Sequence, residues 1–147
     1  RRHGVPVIFV QHDGPAGHRL ETGTPGWEIC DDLHRAPEDD VVRKTACDSF
    51  YATELEAVLS RHGVDHLVVA GLMTPYCIDT TCRRAVSLGY DVTLVADGHT
   101  TADSEMFTVE QIVAHHNALL DGFDAGSAAV AVVPASEIRF GANREAA

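Results

Sequence analysis

Lysine is the residue that this sequence most nearly lacks. Ten of its eleven basic residues are arginine and Lys44 is the only lysine, which makes that position a candidate for a specific role. Basic residues are also scarce beside 22 acidic ones, and the net charge of −11 argues against nucleic acid or an anionic membrane surface as a partner. Long apolar runs are absent, since the longest, Leu67–Met73, is far too short to cross a bilayer.

Recognisable metal and disulfide motifs are missing as well. The four cysteines form no CxxC pair, and no HExxH or other zinc-ligand spacing occurs, so the sequence predicts neither a metal site nor a disulfide framework. Free thiols are typical of a reducing compartment, and we expect a cytoplasmic protein that needs no cofactor. The 147 residues, 45% of them hydrophobic, predict a single domain, residues 1–147, that is large enough to bury its own core.

Short apolar runs alternate along the chain with stretches of helical periodicity. The predicted strands are Val5–Val10, Asp40–Arg43, His66–Gly71, Asp91–Ala96 and Ala129–Val133. The predicted helices are Thr53–His62, which begins with a capping box of Thr53 and Glu56, Pro75–Leu88 and Thr108–Leu120. Solid apolar strands are typical of a parallel sheet that is covered on both faces. We therefore expect an α/β fold of three layers, αβα, with a mainly parallel sheet.

The beginning of the sequence has the pattern of a helix end. Arg1, Arg2 and His3 would lie at the negative end of a helix dipole, Gly4 suits the position after the last turn, and Pro6 follows. We therefore expect the domain to be incomplete at this end. A strand and most of a helix, on the order of 30 residues, would precede residue 1.

The carboxyl ends of the strands are where a site is expected, because ligands bind there in open α/β sheets. One predicted strand end carries Lys44, and another leads into Gly71–Cys77. In that segment Thr74 is a good N-cap and Pro75 suits the first helical position, which places Cys77 in the first turn of a helix. The unpaired N–H groups and the dipole of such a turn favour a thiolate and can bind an oxyanion. Packing as a small apolar side chain is an equally common role for a cysteine.

Two motifs together resemble a known family. The first is Lys44 followed, after four intervening residues, by Ser49 and Phe50, and the second is the G-x-x-T-x-x-C turn of Gly71–Cys77. In their order and separation they are similar to the isochorismatase-like cysteine hydrolases, which include nicotinamidases, N-carbamoylsarcosine amidases and isochorismatases. The resemblance covers nearly the whole chain, Pro6–Val133.

The resemblance implies a catalytic triad of aspartate, lysine and cysteine. Cys77 matches the nucleophile and Lys44 the lysine, while the backbone N–H groups of Met73 and Cys77 would form the oxyanion hole, with a cis peptide bond before Met73. The aspartate of the family ends its first strand, and no residue of this sequence matches it, which again indicates an incomplete chain. Asp13 is a poor substitute, because it ends a neighbouring strand. The implied reaction is hydrolysis of a C–N bond in a small amide or carbamoyl compound through a thioester.

The resemblance also suggests walls for a substrate pocket. Trp27 lies in a loop that borders the pocket in the family, and filling the core beneath that loop is the alternative role. Phe50 and Tyr76 flank the two catalytic positions, and His12 follows a neighbouring strand, so these three are further pocket candidates. The metal-binding motif of family nicotinamidases is broken here, so we expect no metal. Cys47 is interpreted as a bystander despite its proximity to Lys44.

Three functions stay open at this point. An amidase-type hydrolase is favoured, because the sequence retains Cys77. An isochorismatase-type vinyl-ether hydrolase would need the aspartate and the lysine but not the thiol. A non-catalytic binding scaffold would explain the unmatched aspartate. The resemblance further implies a small-molecule substrate and a homo-oligomer, either a dimer or a tetramer.

Overall fold

Strands and helices alternate along the chain in the computed structural model, which describes residues 3–140. The strands are β1 (Ile8–His12), β2 (Asp40–Lys44), β3 (His66–Leu72), β4 (Asp91–Thr100), β5 (Asp124–Ala125) and β6 (Ala128–Val133). The helices are α1 (Leu55–Arg61), α2 (Asp79–Ser87) and α3 (Val109–Leu120), and a π-helical turn, Thr74–Ile78, leads into α2. The predicted α/β fold is confirmed. Within residues 3–140, no helix has the length and apolarity that spanning a membrane requires.

The described strands form two sheets rather than the single sheet that the sequence predicts. β1 and β2 are parallel, with Ile8 opposite Asp40 and His12 opposite Lys44. The second sheet has the order β3-β4-β6-β5, in which β3, β4 and β6 are parallel and the short β5 is antiparallel. No described strand joins β1 to β3, and the additional central strand expected from the resemblance stays a prediction.

One face of β3 is exposed, which corrects the expectation of a strand buried on both faces. Exposed and half-buried residues alternate along its length, and the exposed ones are His66, Val68, Ala70 and Leu72. The strand therefore has the period-two pattern of a sheet with one covered face. The physical reason is that no element of residues 3–140 covers the other side.

The ends of the elements agree with the sequence at some positions and differ at others. The predicted capping box of α1 does not form, since the helix begins at Leu55 with Glu54 at the capping position. The hydroxyl of Thr53 donates to the carbonyl of Ser49 at 2.6 Å and accepts from the N–H group of Leu55 at 3.3 Å. Gly63 has a φ of +64° and ends α1 as predicted. Gly4 has the positive φ of a residue that follows a helix, +70°, while Arg1 and Arg2 lie outside the described residues.

The core connects all three helices with both sheets. Its largest fully buried apolar side chains are those of Val42, Leu59, Val86, Val92, Leu94, Leu120 and Val130. Leu94 and Val130 lie on the neighbouring parallel strands β4 and β6. Helices α2 and α3 pack against these two strands, and β3, on the other side of β4, leads into the turn that follows it.

Candidate active site

The turn that follows β3 carries the predicted nucleophile. The Leu72–Met73 peptide bond is cis, and the π-helical turn Thr74–Ile78 begins immediately after it. The carbonyl of Met73 accepts hydrogen bonds from the backbone N–H groups of Tyr76 at 3.1 Å and Ile78 at 3.3 Å. Cys77 therefore lies within the first turn of the helical segment and is partly exposed. π-helical turns of this kind are frequent at functional sites.

Thr74 does not act as the predicted N-cap. The capping position is occupied by Met73, and no side chain caps the turn. The hydroxyl of Thr74 is instead directed into the protein, where it lies 2.9 Å from Nδ1 of His99. The predicted contact of the Thr74 hydroxyl with the start of its own helix is therefore replaced by a contact with His99, 25 residues later in the chain.

Lys44 lies at the end of β2 and is almost completely buried, with 5% of its surface exposed. Its Nζ donates a hydrogen bond of 2.6 Å to the carbonyl of Cys47. The same carbonyl is 3.4 Å from the hydroxyl of Thr81, which lies one helical turn after Cys77. The loop after β2 is thereby held between the lysine ammonium group and the helical segment that carries the nucleophile.

The Cys47 thiol is exposed and lies close enough to Cys77 for that thiol to influence its titration, although the sequence had suggested only a bystander. Burial raises the pKa of Cys47, and the neighbouring Cys77 raises it further, while Lys44 acts in the opposite direction. Cys47 therefore keeps its proton and can donate it in a hydrogen bond to a sulfur anion. The spacing Lys-x-x-Cys was the one signal in the sequence that could have indicated this contact.

His12 ends β1 directly opposite Lys44 and lies close to the charge of that lysine. Burial lowers the pKa of His12, and the nearby Lys44 and His18 lower it further, against opposing contributions from Asp13 and the backbone of Ala46. A neutral imidazole is therefore favoured beside the lysine.

Asp13 follows β1 and is held by two other side chains. Its Oδ1 accepts hydrogen bonds from Nε1 of Trp27 at 2.8 Å and from Nε of Arg43 at 2.7 Å. Burial alone would raise the pKa of Asp13, but these hydrogen bonds and the Arg43 charge hold it below its usual value. The arrangement fits a structural ion pair that fixes Trp27, on whose ring the Arg43 guanidinium stacks at 4.5 Å.

The predicted pocket residues lie in different surroundings. Phe50 is 7% exposed and stacks on Tyr90 with ring centroids 5.8 Å apart, so it packs in the core, and its role as a pocket wall stays a prediction. Tyr76 is exposed on the turn next to Cys77. Trp27 lines a cavity of about 570 Å³ beside β1 and β2, and neither Lys44 nor Cys77 is on its wall. Among the described residues, no cluster of three or more side chains could hold a metal ion.

Known proteins resemble this chain in both sequence and fold. A streptothricin hydrolase of Streptomyces noursei is 40% identical over 103 residues, which are 70% of this chain and 37% of that protein. A ureidoacrylate amidohydrolase of Caulobacter vibrioides is 35% identical over 81 residues, 55% of this chain and 36% of that protein. A solved isochorismatase of Pseudomonas putida matches with a TM-score of 0.82 and 27% identity over 94% of this chain and 71% of its own.

The chain spans less than half the length of these two curated relatives. A family model, the isochorismatase domain, matches residues 1–130. With most of the chain matched by that model and the fold shared with solved members, the protein belongs to the isochorismatase family of hydrolases.

Proposed function

We propose that the protein is a cysteine-dependent hydrolase that cleaves a C–N bond in a small amide or carbamoyl substrate. One observation carries this proposal. The partly exposed sulfur of Cys77 lies in the opening turn of a helical segment, beside the loop whose Cys47 carbonyl is bound by the ammonium group of Lys44. The names of the streptothricin hydrolase and the ureidoacrylate amidohydrolase support this reaction class.

The proposed reaction begins with attack of the Cys77 sulfur on the carbonyl carbon of the substrate. The negative charge that develops on the carbonyl oxygen would be bound by the backbone N–H groups of Met73 and Cys77. The amine leaves with a proton, and water then hydrolyses the thioester to the acid and the free thiol. Lys44 favours the anionic form of nearby groups by its charge, and the Cys47 thiol, whose pKa is raised, would donate a hydrogen bond to the attacking sulfur.

The proton of the Cys77 thiol has to reach the leaving nitrogen, and a carboxylate is the group that the resemblance implies for this transfer. Within residues 3–140, no aspartate or glutamate pairs with Lys44, and Asp13 is bound by Trp27 and Arg43. We therefore propose that Cys77 and Lys44 supply the nucleophile and the electrostatic stabilisation.

Alkylation of the four cysteines as a function of pH tests the nucleophile. Iodoacetamide is added to the intact protein, and the modified residues are identified by mass spectrometry. We expect Cys77 to react faster near neutral pH than Cys30, which is exposed and lies away from Lys44. Cys77→Ala removes this fast phase, and Lys44→Ala moves it to higher pH. Equal rates for Cys77 and Cys30 would refute the assignment.

A panel of small amides, carbamoyl compounds and vinyl ethers tests the reaction. Release of ammonia or an amine that is lost in Cys77→Ser supports the proposal. Cleavage of a vinyl ether that survives in Cys77→Ser would identify the isochorismatase-type reaction instead. An unreactive Cys77 together with no turnover of any compound would indicate a binding scaffold.

A further inference from the structure

A chain of buried polar side chains connects the nucleophile turn with α3, and the proposed mechanism does not use it. Thr74 is 0% exposed and His99 is 5% exposed. The hydroxyl of Thr74 lies 2.9 Å from Nδ1 of His99, and Nε2 of His99 lies 2.8 Å from Oδ1 of Asn117. Nδ2 of Asn117 donates to the carbonyl of Ala96 at 3.0 Å. The chain therefore begins on the backbone of β4 and ends on the first residue of the turn that carries Cys77.

An irregularity in β4 places His99 beneath the turn. Val69 is paired with Leu94, and Gly71 is paired with His99. The step between these pairs is two residues in β3 but five in β4, so the additional residues of β4 form a bulge. Gly98 makes this bulge possible, because a Cβ atom there would come within 2.7 Å of Cγ1 of Val95. Bulges are a common means of redirecting a side chain next to an active site.

The hydrogen bonds of Asn117 fix the direction of the whole chain. Because its Nδ2 donates to Ala96, its Oδ1 is the atom that faces His99 and must accept. Nε2 of His99 therefore carries a hydrogen. In a ring with this single hydrogen, Nδ1 is the acceptor and the hydroxyl of Thr74 donates to it, so that a side chain on α3 sets the orientation of the hydroxyl.

We propose that His99 and Asn117 are positioning residues that act through Thr74 on the turn Thr74–Ile78. By holding the first residue of this turn, they keep the Cys77 sulfur and the backbone N–H groups near it in a fixed relation to the substrate carbonyl. This inference rests on the proposed function. A buried chain of this kind gains little stability over apolar side chains of the same shape, because its groups must first be taken out of water. Its value is geometric, since a displacement of about 1 Å in an active site can cost 10²-fold in rate.

Substitutions of Thr74 that differ by one polar group test the inference. Thr74→Val keeps the shape and removes the hydroxyl, and we expect kcat to fall by about 10–100-fold while KM changes by less than about threefold. Thr74→Ser restores the hydroxyl and should recover kcat to within about threefold of the original protein. Asn117→Leu breaks the chain from α3 and should lower kcat in the same way.

Thr93→Val is the matched control. The hydroxyl of Thr93 is also hydrogen-bonded to a histidine, Nε2 of His66, at 2.8 Å, but this pair lies on the exposed part of the sheet away from Cys77. We expect wild-type kcat and KM for Thr93→Val. A loss of activity in Thr93→Val equal to that in Thr74→Val would show a general effect of losing a Thr–His contact. A Thr74→Val protein with wild-type kcat would overturn the inference.

Alkylation separates failure of this inference from failure of the proposed function. If the wild-type protein cleaves no compound in the panel, the proposed function has failed, and the rate of Cys77 alkylation at a single pH becomes the measurement. We expect Thr74→Val and Asn117→Leu to change this rate by about fivefold or more, and Thr93→Val to leave it unaltered. An unaltered rate in both Thr74→Val and Asn117→Leu would refute the positioning role. If Thr74→Val does not fold, Asn117→Leu alone decides.

Discussion

The buried ammonium group of Lys44 leads to a prediction with an unusual sign. Replacing Lys44 by methionine should make the 147-residue protein more stable while it moves the fast alkylation of Cys77 to higher pH. Lys44 is 5% exposed, and the contact that the structure describes for its Nζ is the carbonyl of Cys47 at 2.6 Å. No carboxylate within residues 3–140 forms an ion pair with it.

The magnitude follows from the balance between dehydration and hydrogen bonding. Removing an ammonium ion from water costs several kcal/mol even after relaxation of the protein. A hydrogen bond from a charged donor returns about 1.5–3 kcal/mol. Methionine keeps most of the buried aliphatic stem, and the carbonyl of Cys47 retains the hydroxyl of Thr81 as a donor. We therefore expect a gain of about 1–3 kcal/mol, which at this chain length raises Tm by about 2–4 °C per kcal/mol.

Thermal unfolding of Lys44→Met beside Arg43→Met measures this effect. Arg43 precedes Lys44 on the same strand, but its side chain is exposed and paired with Asp13. Arg43→Met should therefore lower the free energy of unfolding by at most about 1 kcal/mol, and its Tm should be unchanged or slightly lower. A Lys44→Met protein less stable than the wild type would refute the reasoning. It would show that the ammonium group has a favourable ionic partner which the described residues do not include.

Three further predictions concern buried groups of the second sheet and α2. Burial raises the pKa of the Cys82 thiol to about 12 from its ordinary value of 9.0. The unfolded chain therefore loses this proton first, and stability should fall as pH rises from 9 towards 12. Cys82→Ala should make this decline smaller, and a decline of unchanged size in that variant contradicts the assignment. Leu94→Ala should lower the free energy of unfolding by about 2–5 kcal/mol in urea titrations, against less than about 1 kcal/mol for the exposed Leu119→Ala, and equal losses would argue against the described core. Gly98→Ala should destabilise the fold by about 1–3 kcal/mol, because the added Cβ meets Cγ1 of Val95 at 2.7 Å; an unchanged Tm would count against this packing.

Much of the fold could be predicted because it depends on short-range patterns. The order of strands and helices, the end of α1 at Gly63 and the helical segment after Gly71 follow from periodicity and from glycines a few residues away. The predicted N-cap role of Thr74 and the capping box at Thr53 failed for one reason. In each case the hydroxyl is bonded to a group away from the helix start, Nδ1 of His99 for Thr74 and the carbonyl of Ser49 for Thr53, and not to the N–H group that the predicted cap would have bound.

The surroundings of the site show the limit of local reasoning. Phe50 follows the predicted catalytic lysine closely in sequence, yet it turns into the core and packs on Tyr90. Cys47 was interpreted as a bystander, yet its thiol contacts Cys77 and its carbonyl binds Lys44. Which way a loop side chain turns depends on the residues that approach it from other elements, and no spacing in the sequence records those.

The sequence by itself determined which residues stand at the strand ends or in the turns that follow them, Lys44 at the end of β2 and Cys77 after β3, because strand and helix periods are set by neighbours along the chain. Only the tertiary structure decided what those residues meet. The bulge that carries His99 under Thr74, the contact between the two thiols and the exposed face of β3 arise from register and packing between distant segments. Such contacts follow from the close packing of the whole chain, in which each side chain takes the space that the others leave.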